Sequence, residues 1–225
     1  MKKNSIVLLF ICSLLFTAFQ VSAQKVMVLK IRDEIDPRML HYVELGLQAA
    51  TEQKSDFIVI DMDTYGGTLT DADKIRMLLL DYPKPVYVFI NKNAFSAGAL
   101  IAIACDSIYM ASGSSIGAAT VVTGEGKPAP DKYQSGMRGL MRTTAEINKR
   151  DPKRAESMVG YAVGKDSLTV GNVTVYTTSE AITNGFCEAQ LNSIHDLLVQ
   201  THLSKAVAVD FELSTTDTII NFFMN

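Results

Sequence analysis

Polar and apolar positions along the chain fall into alternating blocks. Residues 25–31, KVMVLKI, read as a strand in which Val26, Val28 and Lys30 follow one side of the alternation. Asp36-Pro37 then marks a helix start, an N-cap followed by proline at the first helical position. Behind it, Leu40, Val43, Leu47 and Ala50 share one helical face. Residues 56–63, DFIVIDMD, form a nearly continuous apolar run, which suits a strand covered on both faces. A helix is expected over 71–82 with Ile75, Leu78 and Leu79 inward. A strand follows from Val86 to Ile90, a small-residue apolar helix over 96–105, and a short strand over 106–111. Strand and helix alternate, so the pattern predicts an α/β core with crossover connections.

The second half is more helical. Residues 131–150 read as a helix interrupted by Gly136 and Gly139, and Asp151-Pro152 restarts one. Thr177 and Glu180 form a T-x-x-E capping box for a short helix that Gly185 ends. A further amphipathic helix is expected over 193–203, and 211–225 read as a strand leading into an apolar helix. The stretch 123–130, TGEGKPAP, has the composition of a flexible loop.

Length and composition narrow the classes. At 225 residues the chain has room for one domain with a sizeable core. A net charge of −3 without a long basic run argues against nucleic acid as partner. Residues 1–23 combine Lys2 and Lys3 with an apolar run and a Val21-Ser22-Ala23 end, the pattern of a signal peptide and hence of export. The run is short for a membrane span. Cys105 and Cys187 sit in apolar contexts that suit buried thiols, while an exported protein could also join them. His41, His195 and His202 lie in no recognisable site motif.

Two glycine-bearing motifs close two of the buried strands. In DMDTYGGT the pair Gly66-Gly67 permits a sharp turn with backbone N–H groups facing open space. With neither G-K-[ST] nor G-x-G-x-x-G present, an oxyanion is a better guest than a nucleotide. Asp61 and Asp63 share a strand face, but two carboxylates without a third ligand make a poor metal site. No cofactor is expected. In NAFSAGALIAIAC, Ser96 stands at the mouth of a helix. Such a serine is ordinarily an N-cap. Here Ala97-Gly98-Ala99 leave the backbone open to close approach, and a helix N-terminus favours negative charge. A nucleophile there, facing a second donor from Gly67, suits acyl transfer.

Together DTYGGT, AFSAGALIAIACD and SSIGAA, in this order and spacing, resemble the membrane-associated, ClpP-class serine peptidases of the NfeD type, relatives of signal peptide peptidase A. The resemblance runs from about Lys25 to Leu198. It implies a ClpP/crotonase-like α/β fold of repeated β-β-α units over residues 24–210, with 211–225 leading toward a membrane region. It also implies a Ser–Lys dyad of Ser96 and Lys132, an oxyanion hole from the N–H groups of Gly67 and Ala97, and substrate contacts at Tyr65, Gly66, Ile116 and Gly117. The histidines offer no obvious base, and a lysine serves only if it is desolvated enough to be neutral; Lys127 is the rival. Tyr65 departs from the family, which often has proline there. The implied function is an extracytoplasmic serine endopeptidase cutting apolar segments of membrane-associated proteins, stomatin-like partners among them, and working as a dimer or larger homo-oligomer. Two alternatives stay open: a catalytically silent binding or scaffolding module of the same fold, and an acyl-CoA enzyme, for which export leaves little substrate.

Overall fold

Six strands run parallel along one sheet, and the two strand exits that carry the glycine pair and Ser96 lie at their C-terminal edge. A computed structural model describes residues 23–162 and 170–224; the leader expected over 1–23 falls, apart from Ala23, outside the described residues. The elements in chain order are β1 (Lys25–Ile31), α1 (Pro37–Glu52), β2 (Phe57–Thr64), α2 (Leu69–Leu80), β3 (Val86–Phe95), α3 (Ala97–Ala104), β4 (Ser107–Met110), β5 (Ser115–Gly117), α4 (Asp131–Ile147), α5 (Pro152–Ser157), β6 (Tyr161–Ala162), β7 (Val170–Gly171), β8 (Val175–Thr177), α6 (Thr178–Thr183), β9 (Ala189–Gln190), α7 (Ile194–Gln200), β10 (Val207–Asp210) and α8 (Thr215–Phe222). The sheet order is β10-β1-β2-β3-β4-β9, and β5 joins it beside the far end of β3, pairing antiparallel with β8.

β1 does not alternate apolar with polar. Met27 and Leu29 enter the main core beneath α1 and α2, while Val26 and Val28 enter a second cluster with Leu197 and Leu198 of α7. A strand between β10 and β2, covered by helices on both faces, must be apolar on both. α1 is capped as expected: the Asp36 carboxylate accepts the Met39 N–H at 2.9 Å. Its expected inner face, Leu40, Val43, Leu47 and Ala50, is buried. α2 starts two residues earlier than the sequence pattern suggests, because Thr68 is its N-cap; Ile75 and Leu79 are buried and Leu78 packs partly against the core.

Three local readings change. β3 does not stop at Ile90 but runs to Phe95 through Asn91, Lys92 and Asn93, which bulge out opposite Asp63 before pairing resumes at Thr64–Ala94. α4 is one continuous helix; Gly136 and Gly139 face open space, where glycine weakens a helix without breaking it. β10 lies at 207–210, upstream of the strand expected from 211 onward, and Ser214 caps α8 directly. The Thr177–Glu180 capping box forms, and Gly185 closes the turn after α6 at φ +72°. Cys105 and Cys187 are buried free thiols, both pushed up by desolvation, Cys187 to about 12.

Candidate active site

The site is built where two neighbouring parallel strands end. β2 leaves through Tyr65-Gly66-Gly67 into α2, and β3 leaves through Ser96 into α3. The Thr64–Ala94 pairing sets the two exits side by side. Their spacing is set by missing side chains. A Cβ on Gly66 would stand 2.6 Å from Ser96 Cβ, and one on Gly98 would stand 2.6 Å from Thr64 Cγ2. Neither contact is compatible with a real side chain, so glycine at both positions lets the first turn of α3 press against the end of β2.

Ser96 is not an ordinary N-cap. Its backbone sits at φ +53°, ψ −119°, and its hydroxyl caps nothing. A non-glycine residue in that region is strained by about 1–3 kcal/mol and persists only when its surroundings hold it. Those surroundings are visible: the Ser96 N–H donates to the Gly117 carbonyl at 2.9 Å, and the Ser96 carbonyl accepts the first α3 bonds from Ala99 and Leu100. Behind it α3 is buried along all eight residues. At its far end the Arg150 guanidinium, itself buried, donates to the carbonyls of Ile103 and Cys105 at 3.1 and 2.9 Å. The helix that carries Ser96 is therefore fixed at both ends.

The opposing turn is held by Ile35. It donates to the Gly66 carbonyl at 2.9 Å and accepts the Thr68 N–H at 2.7 Å. Thr64 Oγ1 accepts the Gly66 N–H at 3.1 Å from the other side. Among the described residues, none of the hydrogen bonds that fix these turns uses the N–H of Gly67 or of Ala97. Both residues, with Ser96, line a cavity of about 130 Å³ whose other walls are Thr68, Leu69, Ala119, Val121, Val122 and Met137. The arrangement offers a hydroxyl, two backbone donors and an apolar recess. A second depression, about 490 Å³, adjoins it at Gly67 and is lined by Tyr65, Gly66, Arg32, Asp33, Glu34, Asp63 and Thr64.

The sequence-derived residues separate into groups. Ser96, Gly67 and Ala97 come together around one cavity, and Gly66 abuts Ser96. Tyr65 stands 77% exposed beside them, edge-on to Phe95 at 5.8 Å. Gly117 acts on Ser96 through its carbonyl, and Ile116 is fully buried in the core. Lys132 occupies the first turn of α4 with an exposed side chain and is not among the residues lining the cavity. Lys127 is exposed too, its ammonium 2.9 Å from Glu125. Asp61 is bound by Arg32, and Asp63 has Lys92 at 3.6 Å. Sequence reading missed Leu69, Val121, Val122 and Met137, which only the fold assembles.

Residues 25–210 match the family model described as NfeD1b, N-terminal domain. The chain is 31% identical over 202 residues to membrane protein NfeD1b of Bacillus subtilis (strain 168), covering 88% of this chain and 46% of that protein. It is 24% identical over 205 residues to membrane-bound protease PH1510 of Pyrococcus horikoshii, covering 87% of this chain and 44% of that protein. The chain thus spans about half the length of the curated relatives it matches. Among solved structures, a lysine-to-alanine mutant of the 1510-N membrane-bound stomatin-specific protease, in complex with a substrate peptide, superposes with a TM-score of 0.76 at 21% identity, covering 91% of this chain and 99% of that one. ClpP1 from Listeria monocytogenes superposes with a TM-score of 0.54 at 17% identity, covering 74% and 91%. The chain belongs to the NfeD1b N-terminal domain family, and its fold is ClpP-like.

Proposed function

We propose that this member of the NfeD family is a serine endopeptidase in which Ser96 is the nucleophile and Lys132 its base. The observation that carries the reading is the strained backbone of Ser96, with a hydroxyl that caps nothing and the unused N–H groups of Gly67 and Ala97 at the same cavity. In the proposed reaction Ser96 Oγ attacks the scissile carbonyl, and neutral Lys132 Nζ takes its proton. The oxygen that becomes negative is met by the Gly67 and Ala97 N–H groups, a contribution worth about 10²–10³ in turnover per donor. The lysine returns the proton to the leaving amine, and water then hydrolyses the acyl-enzyme by the same route. The apolar walls from Leu69, Val121, Val122 and Met137 favour an apolar side chain at the scissile residue.

By analogy with the membrane-bound, stomatin-specific protease of P. horikoshii, the substrates are membrane-associated, stomatin-like proteins. The apolar recess suits apolar segments of them, and the leader pattern of residues 1–23 supports a setting at the outer face of a membrane. Residues 1–23 as a leader, 24–210 as the peptidase domain and 211–225 as its lead toward a membrane region belong to the same proposal, as does a homo-oligomeric working form. A second reading is a catalytically silent binding module, favoured by one observation: Lys132 is exposed and outside the cavity lining. A fluorophosphonate separates the two. The peptidase reading expects one label per chain, lost in Ser96→Ala, together with cleavage of an apolar peptide library. An unlabelled, correctly folded protein sinks the peptidase reading and leaves the binding module.

A further inference from the structure

Gln134 was singled out by nothing in the sequence, yet it is one of the few polar side chains in the core, 2% exposed. Its amide is engaged on both sides. Its orientation is fixed by its partners, because Nε2 faces two carbonyls and Oε1 faces an N–H. Nε2 donates to the Val121 carbonyl at 2.7 Å and to the Ala129 carbonyl at 3.1 Å, and Oε1 accepts the Val121 N–H at 3.0 Å. The side chain thus pairs with Val121 as a neighbouring strand would, and both of its donor hydrogens are used.

What it holds is the neck of the 122–128 loop. The chain leaves Val121, turns through Thr123 and Lys127, and returns at Ala129, whose N–H donates to the Val121 carbonyl at 2.9 Å. The bridge between Val122 and Pro128 closes the loop just above. Val121 and Val122 are also walls of the cavity beside Ser96, and Met137, one turn along α4 from Gln134, is another. The neck is therefore a wall of the recess, a carrier of Lys127 and the entry to the helix turn that carries Lys132.

We propose that Gln134 is a positioning residue that sets the distance between the Val121–Val122 wall and Ser96, and so the size of side chain the recess admits. This inference rests on the peptidase reading for its effect on selectivity, but not for the clamp itself. Glutamate in its place keeps the acceptor for the Val121 N–H, loses both donors when ionised, and puts negative charge against two carbonyl oxygens. Leucine keeps roughly the volume, removes the Gln134 partner of the Val121 N–H and of the Ala129 carbonyl, and leaves the Val121 carbonyl with the Ala129 N–H alone.

The test uses the full chain and the variants Gln134→Glu and Gln134→Leu. Each is compared with wild type by amide hydrogen exchange over 121–129, by melting temperature, and by kcat/KM on two peptides differing only in leucine or phenylalanine at the scissile residue. The clamp expects faster exchange across 121–129 in both variants, with the sheet strands unchanged. It expects the leucine-to-phenylalanine ratio of kcat/KM to change by about tenfold from that of wild type, the scale on which an apolar pocket distinguishes neighbours in size. Protonation restores one donor to Gln134→Glu, so its selectivity should recover toward wild type as pH falls, whereas that of Gln134→Leu should not. A purely structural role would lower the melting temperature and leave the leucine-to-phenylalanine ratio of the folded fraction, and its pH dependence, unmoved. Unchanged exchange at 121–129 in both variants overturns the clamp. Faster exchange with unchanged selectivity overturns its role at the site. If wild type cleaves neither peptide and takes no fluorophosphonate, the peptidase reading fails, and hydrogen exchange still decides the clamp.

Discussion

Replacing Gly66 with alanine asks whether the placement of Ser96 is what makes the site. The new Cβ would stand 2.6 Å from Ser96 Cβ and 3.1 Å from both Ser96 Oγ and the Phe95 carbonyl. Carbon atoms in contact prefer about 3.5–4.0 Å, so either the turn or Ser96 must give way by about 1 Å. Alanine must also hold φ +109°, the value at Gly66, at a strain of about 1–3 kcal/mol. In a chain of this length each kcal/mol lowers the melting temperature by about 2–4 °C. A nucleophile misplaced by about 1 Å can lose about 10²-fold in rate. The assay measures both quantities on one preparation: the melting curve, and the second-order rate of inactivation by a fluorophosphonate. The expected result is a drop of several degrees together with a roughly hundredfold slower inactivation. A lower melting temperature with an unchanged inactivation rate would refute the reasoning, because the Cβ would then be absorbed without moving Ser96. Gly67→Ala is less informative. Its Cβ would lie 2.1 Å from the Ile35 carbonyl oxygen and 2.6 Å from the Ile35 nitrogen, so the turn and the proposed donor would be lost together.

Ser96→Ala should abolish labelling and turnover with little change in melting temperature, since the hydroxyl caps no helix; Ser96→Gly should be inactive as well but melt higher than Ser96→Ala, because glycine tolerates φ +53°. A Ser–Lys mechanism needs the neutral amine, so turnover should rise with pH. Lys132→Ala and Lys132→Arg should both be inactive at every pH, since guanidinium keeps its proton. Lys127→Ala should be mild, and the opposite pattern in peptide cleavage would move the base to Lys127. Burial opposes ionisation of Asp36, but the Met39 N–H and the Arg38 guanidinium outweigh it and hold the carboxyl below its ordinary range. A carboxyl lowered in this way stabilises the fold above its unfolded-state pKa, and that stability is lost as pH falls through the folded value. Melting temperature measured against pH should therefore drop on acidification below about pH 4, less steeply in Asp36→Asn.

Much of the core could be read from local pattern alone. The apolar run at 57–60 reads as a strand covered on both faces and Asp36-Pro37 as a helix start, and both form, because both signals act within a few residues. The same locality explains the errors. Gly136 and Gly139 look like interruptions in a helix whose continuity is decided by the inward packing of Met137, Met141 and Ala145. Polar Asn91, Lys92 and Asn93 look like the end of a strand until β2 and β5 supply partners for its continuation.

At the site the division is sharper. The motifs around Gly66-Gly67 and Ser96 raised from sequence the expectation of a nucleophile facing two backbone donors, although a serine there is ordinarily an N-cap, because Ala97-Gly98-Ala99 leave the backbone open and a helix N-terminus favours negative charge. That Ser96 is strained rather than a cap follows from the Gly117 carbonyl that holds its N–H, and Gly117 arrives on β5. That the recess is apolar depends on Leu69, Val121, Val122 and Met137, which come from α2, the 121–130 connection and α4 and carry no shared signal in the chain. Residue types and local spacing settle which elements form and which groups are available. Which of those groups meet is settled by long-range packing, because a contact between residues far apart in sequence is specified by the shape of everything between them.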